Sequence, residues 1–182
     1  QILPCMATEL QVPGKPEWSA MAQLLKDVIN NRFWDPERRI YRYLVDASDD
    51  AGRHEGFGHA FAILFGIADE DQSKAIFEHQ HITAHGIPCV WPSYKRYTNP
   101  EGTSYGRHSG TIWPQVNTAW AMAASHHERH DMALFELQAL AEKACRDAQF
   151  AEIYHPLTGE IYGGMQEQGP GTVRIGLQRR GH

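Results

Sequence analysis

Two stretches of the chain combine residue types in patterns that suit chemistry on a sugar. The first is Tyr105-Gly106-Arg107-His108-Ser109-Gly110-Thr111-Ile112-Trp113-Pro114-Gln115-Val116-Asn117. It delivers Tyr105, Arg107, His108, Trp113 and Asn117 to a loop-to-helix junction. A pyranose offers C–H patches to an aromatic face and hydroxyls to Arg, His and Asn, and a helix start adds free backbone N–H groups. An ordinary packed Trp-Pro at a helix start has the same composition, which leaves the two readings level. The second stretch is Phe150-Ala151-Glu152-Ile153-Tyr154-His155-Pro156-Leu157-Thr158-Gly159. Glu152 follows a helix and precedes a turn fixed by Pro156 and Gly159, so rigid elements would hold its carboxylate. Taken alone, Glu152 reads more simply as a surface glutamate without a role.

The elements around these stretches read as helices. Met21, Leu24, Leu25, Val28 and Ile29 recur at helical spacing and predict a helix over 16–33, with Pro16 in its first turn, Asn30-Asn31 weakening its end and Asp35-Pro36 stopping it. Ala60 to Ile67 is apolar on nearly every side and predicts a central, buried helix that starts after the unpromising Gly56-Phe57-Gly58. Asp69 begins a shorter helix over 70–79, with acids in its first turn. Residues 112–127 and 132–148 form a predicted hairpin through 126–130, with Met132, Leu134, Phe135, Leu137, Leu140 and Ala144 expected inward. Between these lies a long irregular connection over 82–110, rich in Pro, Gly and aromatics that include Trp91, Tyr94, Tyr97 and Tyr105. Loops of such length are functional or disordered, and the aromatics favour order. The tail over 165–182 shows no periodicity. Trp34 to Tyr41 echoes Tyr154 to Tyr162 as an aromatic–x–Pro turn closing on Ile-Tyr, which suggests equivalent places in a repeated arrangement of helix pairs. The expected fold class is all-α, one partial ring of antiparallel helix pairs over 1–182.

Composition narrows the function classes. The 182 residues suffice for one core, with 42% hydrophobic and 21% charged residues. A net charge of -5 argues against nucleic acid, and Arg174, Arg179, Arg180 and His182 read as a solvated tail. The apolar stretches are too short for a membrane span. Gln1 to Cys5 has no secretory signature, and the missing first Met suggests an excised or processed piece. The three cysteines, Cys5, Cys89 and Cys145, lack metal or disulfide spacing. Of the 11 histidines, His126 and His130 have zinc-like spacing, but Glu128 is misplaced for the motif, so no metal is expected. Asp46, Asp49 and Asp50 lack the alternation of a calcium loop. Trp18 and Trp34 read as packing residues, while Trp91-Pro92-Ser93-Tyr94 is placed at the mouth of the ring.

The combination Gly-Thr-Ile-Trp-Pro-x-x-Asn, a helical hairpin, then Glu-x-Tyr-x-Pro-x-Thr-Gly resembles glycoside hydrolase family 63 and its relatives, over about 54–164. That resemblance implies an (α/α)6 toroid that hydrolyses glycosidic bonds with inversion, without a cofactor. It places Glu152 as the general base, and Trp113 with the loop before it as the wall of a sugar site. Tyr105, Arg107, His108, Asn117, Trp91 and Tyr154 are the further candidates for substrate contact. An inverting site needs two carboxyl groups roughly 6.5–9.5 Å apart, one ionised and one protonated. The family's general acid sits in an upstream aromatic-Asp motif that this chain lacks; neither Trp34-Asp35 nor Glu55 matches it. The expected partners are an oligosaccharide or glycoside and a preceding segment, or another chain, that completes the ring. Two other functions remain open: a sugar epimerase or isomerase using His as acid and base, and a non-catalytic carbohydrate-binding remnant.

Overall fold

The computed structural model describes residues 16–45, 52–97 and 105–163. Cys5, the acidic run Asp46, Asp49 and Asp50, and the tail over 165–182 with its arginines lie outside them. Helices dominate, joined by very short extended segments.

Helix α1 spans Pro16–Phe33, as its spacing predicts. Its apolar stripe, however, faces outward: Met21, Leu24, Leu25 and Val28 are exposed, and only Ile29 and Phe33 reach the core. Asn30 strengthens the helix end rather than weakening it. Its amide donates to the Ile67 carbonyl at 2.9 Å, and its side-chain oxygen accepts from the Tyr41 hydroxyl at 2.7 Å and the Gln72 amide at 3.0 Å. Strands β1 (Trp34–Asp35) and β2 (Ile40–Tyr41) then pair antiparallel around a tight turn.

Strand β3 (His54–Glu55) leads into helix α2, Gly56–Leu64, which begins four residues earlier than its hydrophobic pattern indicates. The Glu55 carboxylate supplies the missing start signal. It accepts from the backbone N–H of Phe57 at 3.2 Å and from that of Gly58, satisfying two of the orphan donors of the first turn. Gly56 is required by close approach, because a Cβ there would lie 2.8 Å from the Pro88 carbonyl oxygen. Only one side of α2 is buried, through His59, Ala60, Ala62 and Ile63. Phe57, Phe61 and Phe65 run along the other as a row of rings 4.4 and 5.3 Å apart, and Phe61 and Phe65 are exposed. Helix α3, Glu70–His79, starts with a complete capping box between Asp69 and Gln72.

The predicted irregular connection contains order that its sequence hides. Val90–Trp91 forms β4 and pairs with β3. Pro88 bridges Ile112, Val90 bridges Ser109, Ile112 bridges Tyr154, and Tyr154 bridges Ile161. Short pieces far apart in sequence thus line up as a ladder, each too brief to give a period-two pattern.

Helices α4 (Pro114–His126) and α5 (His130–Asp147) form the hairpin, with Pro114 at the first helical position. Both α2 and α5 pack on α4. Trp120 of α4 is buried against Phe77 of α3, ring centroids 5.1 Å apart. The inward face of α5 differs from the expected one. Ala133, Glu136, Ala139, Leu140 and Lys143 are buried, whereas Leu134, Phe135 and Leu137 are exposed. The buried positions recur at three- and four-residue spacing along the face toward α4, and Leu134, Phe135 and Leu137 fall off that face.

Candidate functional site

The two chemically promising stretches meet through the backbone. The Ile112 N–H donates to the Tyr154 carbonyl at 3.0 Å and the Tyr154 N–H donates to the Ile112 carbonyl at 2.9 Å. This exchange sets Glu152, two residues before Tyr154, beside the loop before Trp113. Arg107 Nη2 donates to Glu152 Oε1 at 2.5 Å, in an ion pair whose side chains are 32% and 38% exposed. The other carboxylate oxygen of Glu152 has no partner among the described residues.

Arg107 is fixed at its backbone. Its carbonyl accepts from the Trp113 indole N–H at 2.8 Å and from the Thr111 hydroxyl. Its guanidinium lies 5.6 Å from the Trp113 ring centroid. The exposed His108 imidazole stacks on the same indole at 4.5 Å and 10°, and burial, then the Arg107 charge, pushes its pKa down. Trp113 itself is only 6% exposed, so the indole presents Arg107 and His108 to solvent more than its own face.

Tyr105 and Trp91 belong to a second aromatic group. His81 stacks on Trp91 at 4.3 Å and 4°, Trp91 lies 6.3 Å from Tyr105, and Tyr105 meets His155 edge-on at 5.2 Å. The Tyr162 hydroxyl links to this row by accepting from the Tyr105 N–H at 2.9 Å. Asn117 and Tyr154, expected at the sugar, lie beneath the surface. Both are 0% exposed. The Asn117 amide donates to Glu136, and the Tyr154 hydroxyl accepts from the Ala151 N–H at 2.8 Å. They shape the site from behind, since helix position 117 points at α5 and Tyr154 points under its own turn.

A buried polar brace, not singled out by sequence reasoning, supports the turn after Glu152. Glu136 accepts from Asn117 and from the Ile87 N–H at 3.2 Å. Lys143 donates to the His85 carbonyl at 2.6 Å, and His85 Nε2 donates to the Leu157 carbonyl at 3.1 Å. Helix α5 therefore grips the His85–Ile87 loop, which grips the turn. Burial raises the Glu136 pKa to about 7, against the lowering effects of Asn117, Ile87 and the Lys143 charge. The available signal was Ala133, Glu136, Leu140 and Lys143 at three- and four-residue spacing, two charges on an otherwise apolar stripe.

Glu55 and Asp35 lie in other settings. Glu55 caps α2, and burial raises its pKa. Asp35 serves its own turn, accepting from the N–H groups of Glu37 and Arg38. His126 and His130 sit on different helices, and among the described residues no cluster of His, Cys, Asp or Glu has the makings of a metal site.

Residues 3–168 match the family model described as the mannosylglycerate hydrolase MGH1-like glycoside hydrolase domain. The chain belongs to this family. Among solved structures, the MGH1-like domain resembles a Thermus thermophilus protein described as an uncharacterized conserved protein, and the GH63 mannosylglycerate hydrolase of Thermus thermophilus in complex with glucose. Each match has a TM-score of 0.68 at 20% identity, covering 88% of this chain and 40% of that one. The same hydrolase in complex with Tris and D-glycerate gives a TM-score of 0.68 at 20% identity, over 88% of this chain and 38% of that one. At this identity the likeness concerns the fold. The MGH1-like domain spans about two fifths of the length of these structures. No curated protein matches it.

Proposed function

We propose that the protein hydrolyses a glycosidic bond with inversion, that Glu152 is the general base, and that the helix pairs form part of an (α/α)6 toroid. The observation that carries this reading is the geometry of Glu152: a partly exposed carboxylate with one oxygen held by Arg107 and the other without a partner among the described residues. An inverting base needs that geometry, oriented and with a free lone pair for water. The exposed His108 flanks the position where a sugar would lie, and the partly exposed His81–Trp91 stack offers an aromatic edge to a further part of the glycoside. The exposed apolar residues of α1 and the Phe61–Phe65 row support completion of the ring by another segment or chain, which would bring the general acid opposite Glu152.

Mannosylglycerate is the first substrate to try, on the strength of the family. The test compares the full-length wild-type protein with Glu152→Gln on this substrate, following release of reducing sugar. Turnover by the wild type and loss of about a thousandfold in kcat by the variant are expected, within the usual range for a general base. Undiminished turnover by Glu152→Gln would sink the assignment. An epimerase would release no reducing sugar, and a binding remnant would turn over nothing.

A further inference from the structure

Resting on the reading of Glu152 as base, we infer that Arg107 is a positioning residue for Glu152 rather than a direct substrate ligand. Three observations point the same way. The guanidinium commits Nη2 to Glu152 Oε1, at 2.5 Å. The Arg107 backbone is clamped where it leaves the loop, its carbonyl accepting both the Trp113 indole N–H and the Thr111 hydroxyl. Its Nε is buried with no hydrogen-bond partner among the described residues, so this part of the fork faces protein and not the open side where substrate would approach.

The geometry has a chemical consequence. A glutamate on the surface samples several rotamers, and only some aim a lone pair at an attacking water. An arginine that grips one carboxylate oxygen selects among them. The second oxygen then points to a defined place. Water attacks the anomeric carbon, the bond to the leaving oxygen breaks, and the water's proton passes to this second oxygen of Glu152. A proton from the general acid goes to the leaving group. Arg107 gains or loses no proton in the cycle and touches neither the sugar nor the water. Its effect is confined to the orientation of the base.

A residue of this kind acts on kcat and leaves binding nearly intact. The experiment uses the full-length protein and mannosylglycerate, with variants Arg107→Met and Arg107→Lys, each alone and combined with Glu152→Asp, and with folding checked by circular dichroism. We expect Arg107→Met to lower kcat by about 100-fold, the cost of a misplaced catalytic group, with KM within about twofold. Arg107→Lys should recover part of this loss, because an ammonium restores charge but not the fork. In the Glu152→Asp background the shortened carboxylate already leaves the guanidinium, so Arg107→Met should add less than about threefold. A raised KM with unchanged kcat, or full additivity with Glu152→Asp, would overturn the inference and leave the base assignment standing. If Arg107→Met fails to fold, the kcat and KM of Arg107→Lys decide the matter by the same split. Full turnover by Glu152→Gln would instead remove the base assignment itself, and the inference with it.

Discussion

The chain builds the same turn twice, and only one copy stands beside a candidate reacting group. In the first, Asp35 accepts from the N–H groups of Glu37 and Arg38, both at 3.1 Å, and the Arg39 N–H donates to the Asp35 carbonyl at 2.7 Å. In the second, His155 Nδ1 accepts from the N–H groups of Leu157 and Thr158, both at 3.3 Å, and the Gly159 N–H donates to the His155 carbonyl at 2.9 Å. Pro36 and Pro156 hold the same place, and both turns use a positive φ, 58° at Arg39 and 68° at Gly159. Two residues before the leading aromatic, the first copy has Arg32, exposed on α1, and the second has Glu152 beside Arg107. The turn is therefore scaffold. Any chemistry at the second copy comes from its neighbours, Arg107, Trp113 and the ladder that brings them in.

Substitutions at matched positions sharpen this contrast. The largest effect is on turnover: Glu152→Gln should cost about a thousandfold in kcat, while Arg32→Gln, its counterpart, should leave kcat unchanged in the same assay. Next comes Gly159→Ala. Its φ of 68° disfavours a Cβ, and that Cβ would sit 2.7 Å from His85 Nδ1. A destabilisation of about 3 kcal/mol is expected in urea melts, whereas Arg39→Ala, already past the backbone penalty, should change stability by less than about 0.5 kcal/mol. Asp35→Ala and His155→Ala each remove one side-chain atom that accepts from two backbone N–H groups and should cost about 1 kcal/mol apiece. Unequal costs would break the equivalence of the turns. The smallest effect is a gain: Arg39→Gly relieves the left-handed strain and should stabilise by about 1 kcal/mol.

The two turns should also respond to pH with opposite sign. The backbone N–H groups of Arg38 and Glu37 and the Arg42 guanidinium hold the Asp35 carboxyl below its ordinary 3.8, against a raising effect of burial. Its stabilising contribution is present above that value and is lost as pH falls through the lower, folded one. The brace under the second turn relies on Glu136, raised by burial from 4.5 to about 7. The fold prefers this carboxyl protonated, so its contribution is complete below pH 4.5 and is lost as pH rises to about 7. Thermal melts of Glu136→Gln should lack the decline over that window, and those of Asp35→Asn should lack the acid one.

Much of this was legible in the sequence, for definite reasons. The boundaries of α1 and α3 follow from Pro16 and Asp69, because end signals are local chemistry. The repeated turn was visible in its aromatic–x–Pro pattern, but matching the closing Ile-Tyr pairs misplaces the register by one. Tyr41 pairs with Trp34 and Ile161 with Tyr154, because the five-residue backbone bond sets the turn length. The ladder joining 88–91, 109–112 and 154 was hidden, since its pieces are shorter than any periodicity. The inward face of α5 is hidden from hydrophobicity alone, because the stripe that meets α4 carries Glu136 and Lys143 beside Ala133, Ala139 and Leu140, while Leu134 and Leu137 lie on another face. The meeting of Arg107 with Glu152 followed from neither motif alone, as it is made by that hidden ladder.

The most direct test of the account is the stereochemical course of the reaction. Proton NMR would follow the full-length protein acting on mannosylglycerate and identify the first mannose anomer to appear, before mutarotation. A base that delivers water predicts the anomer of opposite configuration to the bond cleaved. Initial release of the same configuration would mean that a carboxylate attacks the sugar itself, and would contradict the role given to Glu152.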